Sequence, residues 1–247
     1  MKKISYYIIF LAIMVCLVSC TKGFEEKNQN PYAITSIDPG LLFTGAERNM
    51  NIGSWDGEQT IVQQYINAYN AGATAGFQFN LDIDGYSNDR WGAYTGVIKP
   101  LVQIISVIKD DPTHKNLYSM VRIWKAFAFM TLVDTYGDVP YTEAGKAYLE
   151  GISYPKYDKM ADIYADLYTE LKTATADLSA SGEYVSSDLF FGGPSGALAA
   201  QVAHWKKIGY SLMLRLGMRY SKIDGAKAAS IAQEAFAGGV ILSNSDN

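Results

Sequence analysis

A short stretch of the sequence gathers side chains that could bind a small ligand. Three aromatic and three polar residues lie close together: Tyr86, Asn88, Asp89, Arg90, Trp91 and Tyr94. They occur where a glycine-containing polar loop meets a predicted helix, a place where side chains are exposed and a rigid element can hold them. We take them as the candidate ligand-binding site. The alternative is that Trp91 and Tyr94 only anchor the helix to the core, because aromatic clusters more often serve packing.

The same loop resembles a calcium-binding loop only in part. Asp82, Asp84 and Asp89 accompany Gly85. An EF-hand needs ligands at alternate positions, a glycine at the sixth position and a glutamate at the twelfth, and only the first alternation is present. A solvated turn is the better interpretation, so we assign no metal site and no cofactor.

One pair of carboxylates could be offered as the catalytic pair of a glycosidase. Asp134 and Asp138 lie four residues apart across a predicted helix end and turn, and nothing in the sequence places them in one cleft. We interpret Asp138 as fixing the turn that leaves the helix. Asp134 is expected to cap the helix or to pair with Arg215 or Arg219, which share a helix face at i, i+4. We therefore expect no enzyme.

The N-terminus has the parts of a secretion signal. Lysines follow Met1, an apolar run covers residues 4–17, and Val18-Ser19-Cys20 is a small-residue cleavage site. The run is shorter than the roughly 18 apolar residues of a spanning helix, so we predict a signal peptide over residues 1–19 and no transmembrane helix. Leu17-Val18-Ser19-Cys20 resembles the lipobox of bacterial lipoproteins, whose cysteine carries lipid, including acyl chains such as palmitate. Residues 20–33 are then the lipidated N-terminus and a flexible tether.

Cysteine, histidine and charge content exclude several classes of protein. Cys16 leaves with the signal and Cys20 is lipidated, so no thiol remains for a disulfide, a zinc site or a nucleophile. Two histidines, His114 and His204, are too few for a multi-histidine metal site. Loss of both lysines with the signal changes the net charge from -4 to -6. This charge argues against nucleic acid or anionic lipid as a partner.

Helical periodicity dominates the rest of the chain. The recurrence of apolar residues predicts helices over residues 37–49, 57–70, 90–109, 114–136, 158–178, 198–221 and 226–237. The apolar stripe from Leu117 to Thr131 indicates one buried face. We expect Pro100 to kink its helix, Gly137 to end the next one and Asp158 to cap the one after that.

Long loops over residues 71–89 and 182–196 separate these helices, and no strand pattern of comparable strength appears. The expected fold class is mainly α, with tetratricopeptide-like pairs of antiparallel helices and long irregular loops.

Two segments resemble the SusD/RagB family. The first runs from Asp134 to Ala144 at the end of a predicted helix, and the second, from Trp205 to Arg219, is similar to a family helix that starts with tryptophan and ends near two arginines. The positions that carry this resemblance, interpreted as structural, are Asp134, Tyr136, Gly137, Asp138, Pro140, Tyr141, Trp205, Arg215 and Arg219. Their order and spacing, the lipobox and Asn30-Pro31 all agree with the family. Residues 34–247 are thus expected to form a SusD-like helical domain, truncated at its C-terminus relative to longer members.

The resemblance implies a binding protein of the outer membrane. It would be lipid-anchored, face the cell exterior, capture glycans or other oligomeric nutrients and deliver them to a SusC-like TonB-dependent transporter. A sugar presents C–H faces that stack on Trp or Tyr rings and hydroxyls that Asp, Asn and Arg can bind. A surface glycoside hydrolase and a helical protein–protein scaffold remain as alternatives, and the sequence does not specify the ligand.

Overall fold

The structure, a computed structural model, describes residues 37–50, 64 and 90–246. Nearly all of these residues belong to one unit, Asp38–Asn247. The predicted signal peptide, the tether, the helix over residues 57–70 and the loop over residues 71–89 lie outside the described residues. So do Cys20, Tyr86, Asn88 and Asp89, together with the aspartates weighed as calcium ligands.

Helices make up most of the described chain, which confirms the mainly α prediction. They are α1 (Pro39–Arg48), α2 (Lys99–Ile108), α3 (Lys115–Tyr136), α4 (Ala147–Glu150), α5 (Met160–Asp177), α6 (Leu198–Arg219) and α7 (Gly225–Gly238). Each helix predicted within the described residues is present. The ends agree to within two residues except in one case: the helix predicted over residues 90–109 begins with short 3-10 and π turns, and α2 itself begins only at Lys99. The four-residue α4 was not predicted.

Short elements connect these helices. Single 3-10 turns occur at Arg90–Gly92, Pro112–His114 and Asn244–Asp246, and a π-helical turn at Tyr94–Ile98 leads into α2. Two strands of two residues, β1 (Val139–Pro140) and β2 (Tyr157–Asp158), pair in antiparallel fashion between α3 and α5. In this register Val139 lies opposite Asp158 and Pro140 opposite Tyr157.

Helix α3 lies at the centre of the core. It contacts α1, α2, α5 and α6. Residues outside the predicted stripe, including Ile123, Phe129 and Leu132, are fully buried, whereas Phe127 and Thr131 within it are only half-buried. Most of the predicted stripe is thus buried, as expected, and further faces of α3 are buried as well, because a helix surrounded by other helices buries several faces.

Pro100 changes the backbone one turn before its own position. Proline has no N–H to donate to the carbonyl of Gly96, and the chain forms a π turn in which the Lys99 N–H donates to the Tyr94 carbonyl instead. The Gly96 carbonyl accepts a hydrogen bond of 3.4 Å from Asn49 Nδ2. The irregularity expected at Pro100 is thus a π turn whose freed carbonyl is bound from the end of α1.

The segment that contains this turn is strongly apolar. Arg90–Ile108 meets the length and hydropathy of a membrane-crossing helix. Its residues Val97, Ile98, Leu101 and Ile104 are fully buried in the core, where the segment packs against α1 and α3. We interpret it as a core segment.

The N-terminus of α5 is capped by a residue from the end of α3. Asp158 was predicted as this cap, but it lies in β2, where its carboxylate accepts the N–H of Thr142 at 2.7 Å. The N–H of Met160 instead donates to Asp138 Oδ1 at 2.9 Å. The prediction for Asp158 was wrong because a cap can come from any segment that the fold brings to the helix end.

Helices α5 and α6 approach closely at Gly209, where an added Cβ would overlap the buried side chain of Thr175. We expect Gly209→Ala to lower the free energy of unfolding by about 1–3 kcal/mol. Gly45 in α1 has open space around it, so Gly45→Ala should leave this free energy unchanged or raise it by up to about 1 kcal/mol. Urea denaturation followed by circular dichroism measures both. Equal effects of the two substitutions would contradict the close packing.

Candidate functional site

Trp91 lies within a group of aromatic rings. Its ring centroid is 4.8 Å from that of Tyr94, 5.2 Å from that of Tyr136 and 6.4 Å from that of Tyr157. The Trp91 and Tyr157 rings are within 26° of parallel. Trp91 is half-buried, whereas Tyr157 is 62% exposed. The group therefore runs from the core to the surface.

Tyr94 belongs to the inner side of this group. Its hydroxyl donates a 2.7 Å hydrogen bond to the carbonyl of Pro140 in β1, and its ring packs edge-on against Phe129. Burial raises the pKa of the Tyr94 hydroxyl above its ordinary value. Tyr94 thus joins the π turn to β1, and its hydroxyl is used within the fold.

The structure brings Trp91 and Tyr94 of the candidate cluster together beside the turn that begins at Arg90. The three remaining members lie in the part of the chain that is not described. Tyr157 lies more than sixty residues after Trp91 in the chain. The pairing of β1 with β2 brings its ring to the group around Trp91.

Exposed tyrosines were missed by the sequence reasoning. Tyr148, Tyr154 and Tyr157 are 88%, 96% and 62% exposed and lie within ten residues of the chain. A signal was available, because these tyrosines flank Gly151 and Pro155, which mark turns at the surface. Exposed rings of this kind offer flat apolar faces with a polar tip.

Pockets lie between several of the described elements, one of them beside Tyr148 and another beside Arg215. The smaller, about 270 Å³, adjoins Tyr148 and is lined by Lys99, Gln103, Gly145, Tyr148 and Leu149. Its ammonium and amide groups can donate hydrogen bonds to hydroxyl groups. The larger, about 460 Å³, is mainly apolar and is lined by Trp124, Phe127, Phe190, Phe191, Ile208, Ser211, Leu212, Arg215 and Ile241.

Asp134 pairs with Arg219, one of the two arginines proposed for it. The guanidinium donates through both Nε, at 2.9 Å, and Nη2, and the hydroxyl of Tyr164 donates to the same carboxylate. Burial opposes the charged form of Asp134, but these donors outweigh it and lower its pKa below the ordinary value. Arg215 instead lines the larger pocket.

Asp138 has different partners from Asp134. It binds the Met160 N–H, and Lys159 Nζ lies 2.7 Å from its carboxylate. Asp134 and Asp138, considered above as a catalytic pair, therefore bind different partners. Within the described residues, no group of three or more His, Cys, Asp or Glu side chains is placed to hold a metal ion.

The remaining motif residues pack within the core or shape the chain. Gly137 ends α3 with a φ of +78°, a conformation that favours glycine. Tyr141 packs edge-on against Phe129 at 4.6 Å and donates its hydroxyl to Asp166. Trp205 is fully buried, and its Nε1 donates to Asp188 Oδ2 at 2.7 Å.

Comparison with known families now identifies the chain. The family SusD-like_2, described as "Starch-binding associating with outer membrane", matches residues 31–247. The chain belongs to this SusD-like family. A comparison with curated proteins gives no match.

Solved structures agree with this assignment. A structure titled "chitin-binding protein" is 32% identical with a TM-score of 0.66, over 85% of this chain and 45% of that one. A structure titled "Bacteroidetes AC2a SusD-like" is 29% identical with a TM-score of 0.66, over 85% and 39%. A SusD homolog from Parabacteroides distasonis, at 24% identity and a TM-score of 0.63 over 85% and 39%, supports the fold. The SusD-like chain spans less than half the length of these proteins.

We expect Asp134→Asn and Arg219→Gln each to lower the free energy of unfolding by about 1 kcal/mol, a value reduced for the partial exposure of Arg219. Arg215→Gln, the matched control, should cost less. Because the pKa of Asp134 is lowered, its contribution is present above the ordinary value of 3.8 and is lost as the pH falls through the folded-state pKa. Denaturation curves at pH 7 and towards pH 3 measure this. A larger effect of Arg215→Gln would contradict the assigned pairing.

Proposed function

We propose that this SusD-like protein is a lipid-anchored protein of the cell surface that binds oligosaccharides and delivers them to a SusC-like TonB-dependent transporter. The observation that carries the proposal is the family match over residues 31–247, with its description of starch binding and outer-membrane association. The similarity to a structure titled as a chitin-binding protein also supports a glycan as the ligand.

The exposed aromatic rings provide a physical basis for glycan binding. Tyr157 reaches the surface from the group around Trp91, and Tyr154 lies three residues before it with 96% of its side chain exposed. The C–H faces of a sugar can stack on such rings. We therefore place the binding surface at Trp91, Tyr154 and Tyr157, with Tyr86, Asn88, Asp89 and Arg90 as proposed polar and aromatic contributors.

A binding role fits the chemistry of the acids better than hydrolysis does. A glycosidase needs two carboxyl groups flanking one bond, about 5–10 Å apart depending on the mechanism. Asp134 is held by Arg219 and Tyr164, and Asp138 caps α5. These hydrogen bonds give both acids structural roles, which argues against their use as a catalytic pair.

The binding surface is tested by titration calorimetry with maltooligosaccharides and chitooligosaccharides. We expect one class to bind, and Trp91→Ala and Tyr157→Ala each to weaken its binding about tenfold, equivalent to roughly 1.4 kcal/mol for one stacked ring. Phe236→Ala removes an equally exposed ring from α7 and is the matched control, expected to leave affinity unchanged. A folded protein that binds neither class, or that loses affinity equally in the control, would contradict the proposal.

The lipid anchor is tested at Cys20. In a host that processes bacterial lipoproteins, we expect the wild-type protein to fractionate with membranes and to carry a diacylglyceryl mass on residue 20. Cys20→Ser should abolish both, since the sulfur is the point of attachment. Cys16→Ser is the control and should be lipidated normally, because residue 16 leaves with the signal. Lipidation that persists in Cys20→Ser would reject the assignment.

A further inference from the structure

Two acidic side chains are buried side by side in the core. Glu47 in α1 is 3% exposed, and Asp188, in the segment between α5 and α6, is 4% exposed. Asp188 accepts a hydrogen bond from the Trp205 indole, and Phe43, one turn before Glu47 in α1, packs on the Trp205 ring at 5.8 Å. Within the described residues neither carboxyl forms a salt bridge. Two adjacent buried carboxylates cannot both be charged without a large cost.

Hydrogen-bond donors favour charge on Asp188. Its Oδ2 accepts from Trp205 Nε1 at 2.7 Å and from Gln201 Nε2 at 2.9 Å, and its Oδ1 accepts from the Phe190 N–H at 3.0 Å. Three N–H donors are enough to stabilise a buried carboxylate. Both carboxylate oxygens of Asp188 are therefore bound by N–H donors of the fold.

Glu47 has a single N–H donor. Its Oε2 accepts from the Leu189 N–H at 2.9 Å, while its Oε1 is buried and receives no N–H. An unsatisfied carboxylate oxygen would be costly here, but a hydroxyl at Oε1 could donate to the neighbouring Asp188. A proton on Glu47 would therefore be carried by Oε1, the oxygen that accepts no hydrogen bond.

We propose that Glu47 is held as the neutral acid in the folded protein at neutral pH, with its Oε1 hydroxyl donating to Asp188, so that one proton clamps α1 to the segment 186–193. Burial, together with the neighbouring charge and hydrogen bond of Asp188, raises the pKa of Glu47 to about 9, and the Leu189 N–H only partly opposes this. The same groups that orient the proton also hold the backbone of Leu189 and Phe190.

The clamp positions one wall of the larger pocket. Phe190 and Phe191 line that pocket, and the Phe190 ring lies 5.2 Å from the ring of Trp124. Loss of the proton would place two charges in the core and loosen the segment that carries both phenylalanines. The clamp is therefore a pH-sensitive device that acts on this pocket.

Among the described residues, other titratable groups lie close to the segment 186–193. On α6, His204 stacks on Phe191 at 4.5 Å, and Arg215 lines the pocket. In the loop, Tyr184 donates its hydroxyl to the Gly193 carbonyl. Trp124 and Phe127, the residues of α3 in the pocket, do not titrate. The variants His204→Gln and Tyr184→Phe distinguish the pH dependence of unfolding that is due to Glu47 from that due to His204 or Tyr184.

Proton linkage gives the expected pH dependence. The folded protein keeps the Glu47 proton up to about pH 9, whereas the unfolded chain releases it near 4.5. Folding then takes up one proton between these values, so the unfolding equilibrium constant should increase about tenfold per pH unit from this group. Stability from Glu47 falls as the pH rises and reaches its minimum above about pH 9.

Glu47→Gln tests the clamp, because its amide can donate to Asp188 and accept from Leu189 without any proton uptake. Urea denaturation of the purified chain across this pH range should give a wild-type to Glu47→Gln ratio of unfolding constants that rises about tenfold per pH unit. At neutral pH the variant should be the more stable protein. Glu150→Gln, at an exposed acid on α4, is the matched control and should not show this tenfold rise.

A second measurement applies even where a variant folds poorly. In wild-type protein with ¹³C-labelled glutamate carboxyl groups, nuclear magnetic resonance should show one carboxyl still protonated at neutral pH, and that signal should be missing in Glu47→Gln. The proposal would be overturned by a wild-type to Glu47→Gln ratio of unfolding constants that does not change with pH. It would also be overturned if all glutamates titrated near their ordinary pKa.

Discussion

The buried carboxylate of Asp188 constrains how α1, α6 and the loop between α5 and α6 come together. A charge in the core is tolerated only where hydrogen-bond donors surround it. Trp205 and Gln201 of α6 supply two of them, which fixes the loop against that helix. Glu47 meets the same loop from α1. The helix that carries the family tryptophan is thereby placed against the first helix of the described chain.

A second constraint joins α3 to its neighbours through helix ends. Asp138, just after α3, caps α5, and Glu183 binds the N–H groups of Asn116 and Leu117 at the start of α3. Such caps satisfy backbone donors that a helix leaves open and favour acids at N-termini. Helix α3 is thus tied at its two ends to segments that follow it in the chain.

The aromatic surface depends on these ties. Because Asp138 holds the start of α5 beside the end of α3, the short β1–β2 ladder forms between them and sets Tyr157 opposite Pro140. The carbonyl of Pro140 in turn receives the Tyr94 hydroxyl, which holds the π turn and Trp91 nearby. Rings from two distant stretches of chain therefore meet at one surface of the SusD-like domain, on a rigid support suited to binding.

Most of the helices follow from local features of the sequence, because apolar spacing, glycine and the missing N–H of proline act within a few residues. The sequence also indicated the family through the segments around Asp134 and Trp205. It named Arg215 and Arg219 as the expected partners of Asp134. Only the tertiary structure shows that Arg219 is the partner of Asp134 and that Asp138, not Asp158, caps α5. It also shows that α3 is buried on several sides and that Glu47 binds Leu189, 142 positions later in the chain. These outcomes depend on which segments of the chain contact one another in the folded protein, and local sequence patterns do not specify those contacts.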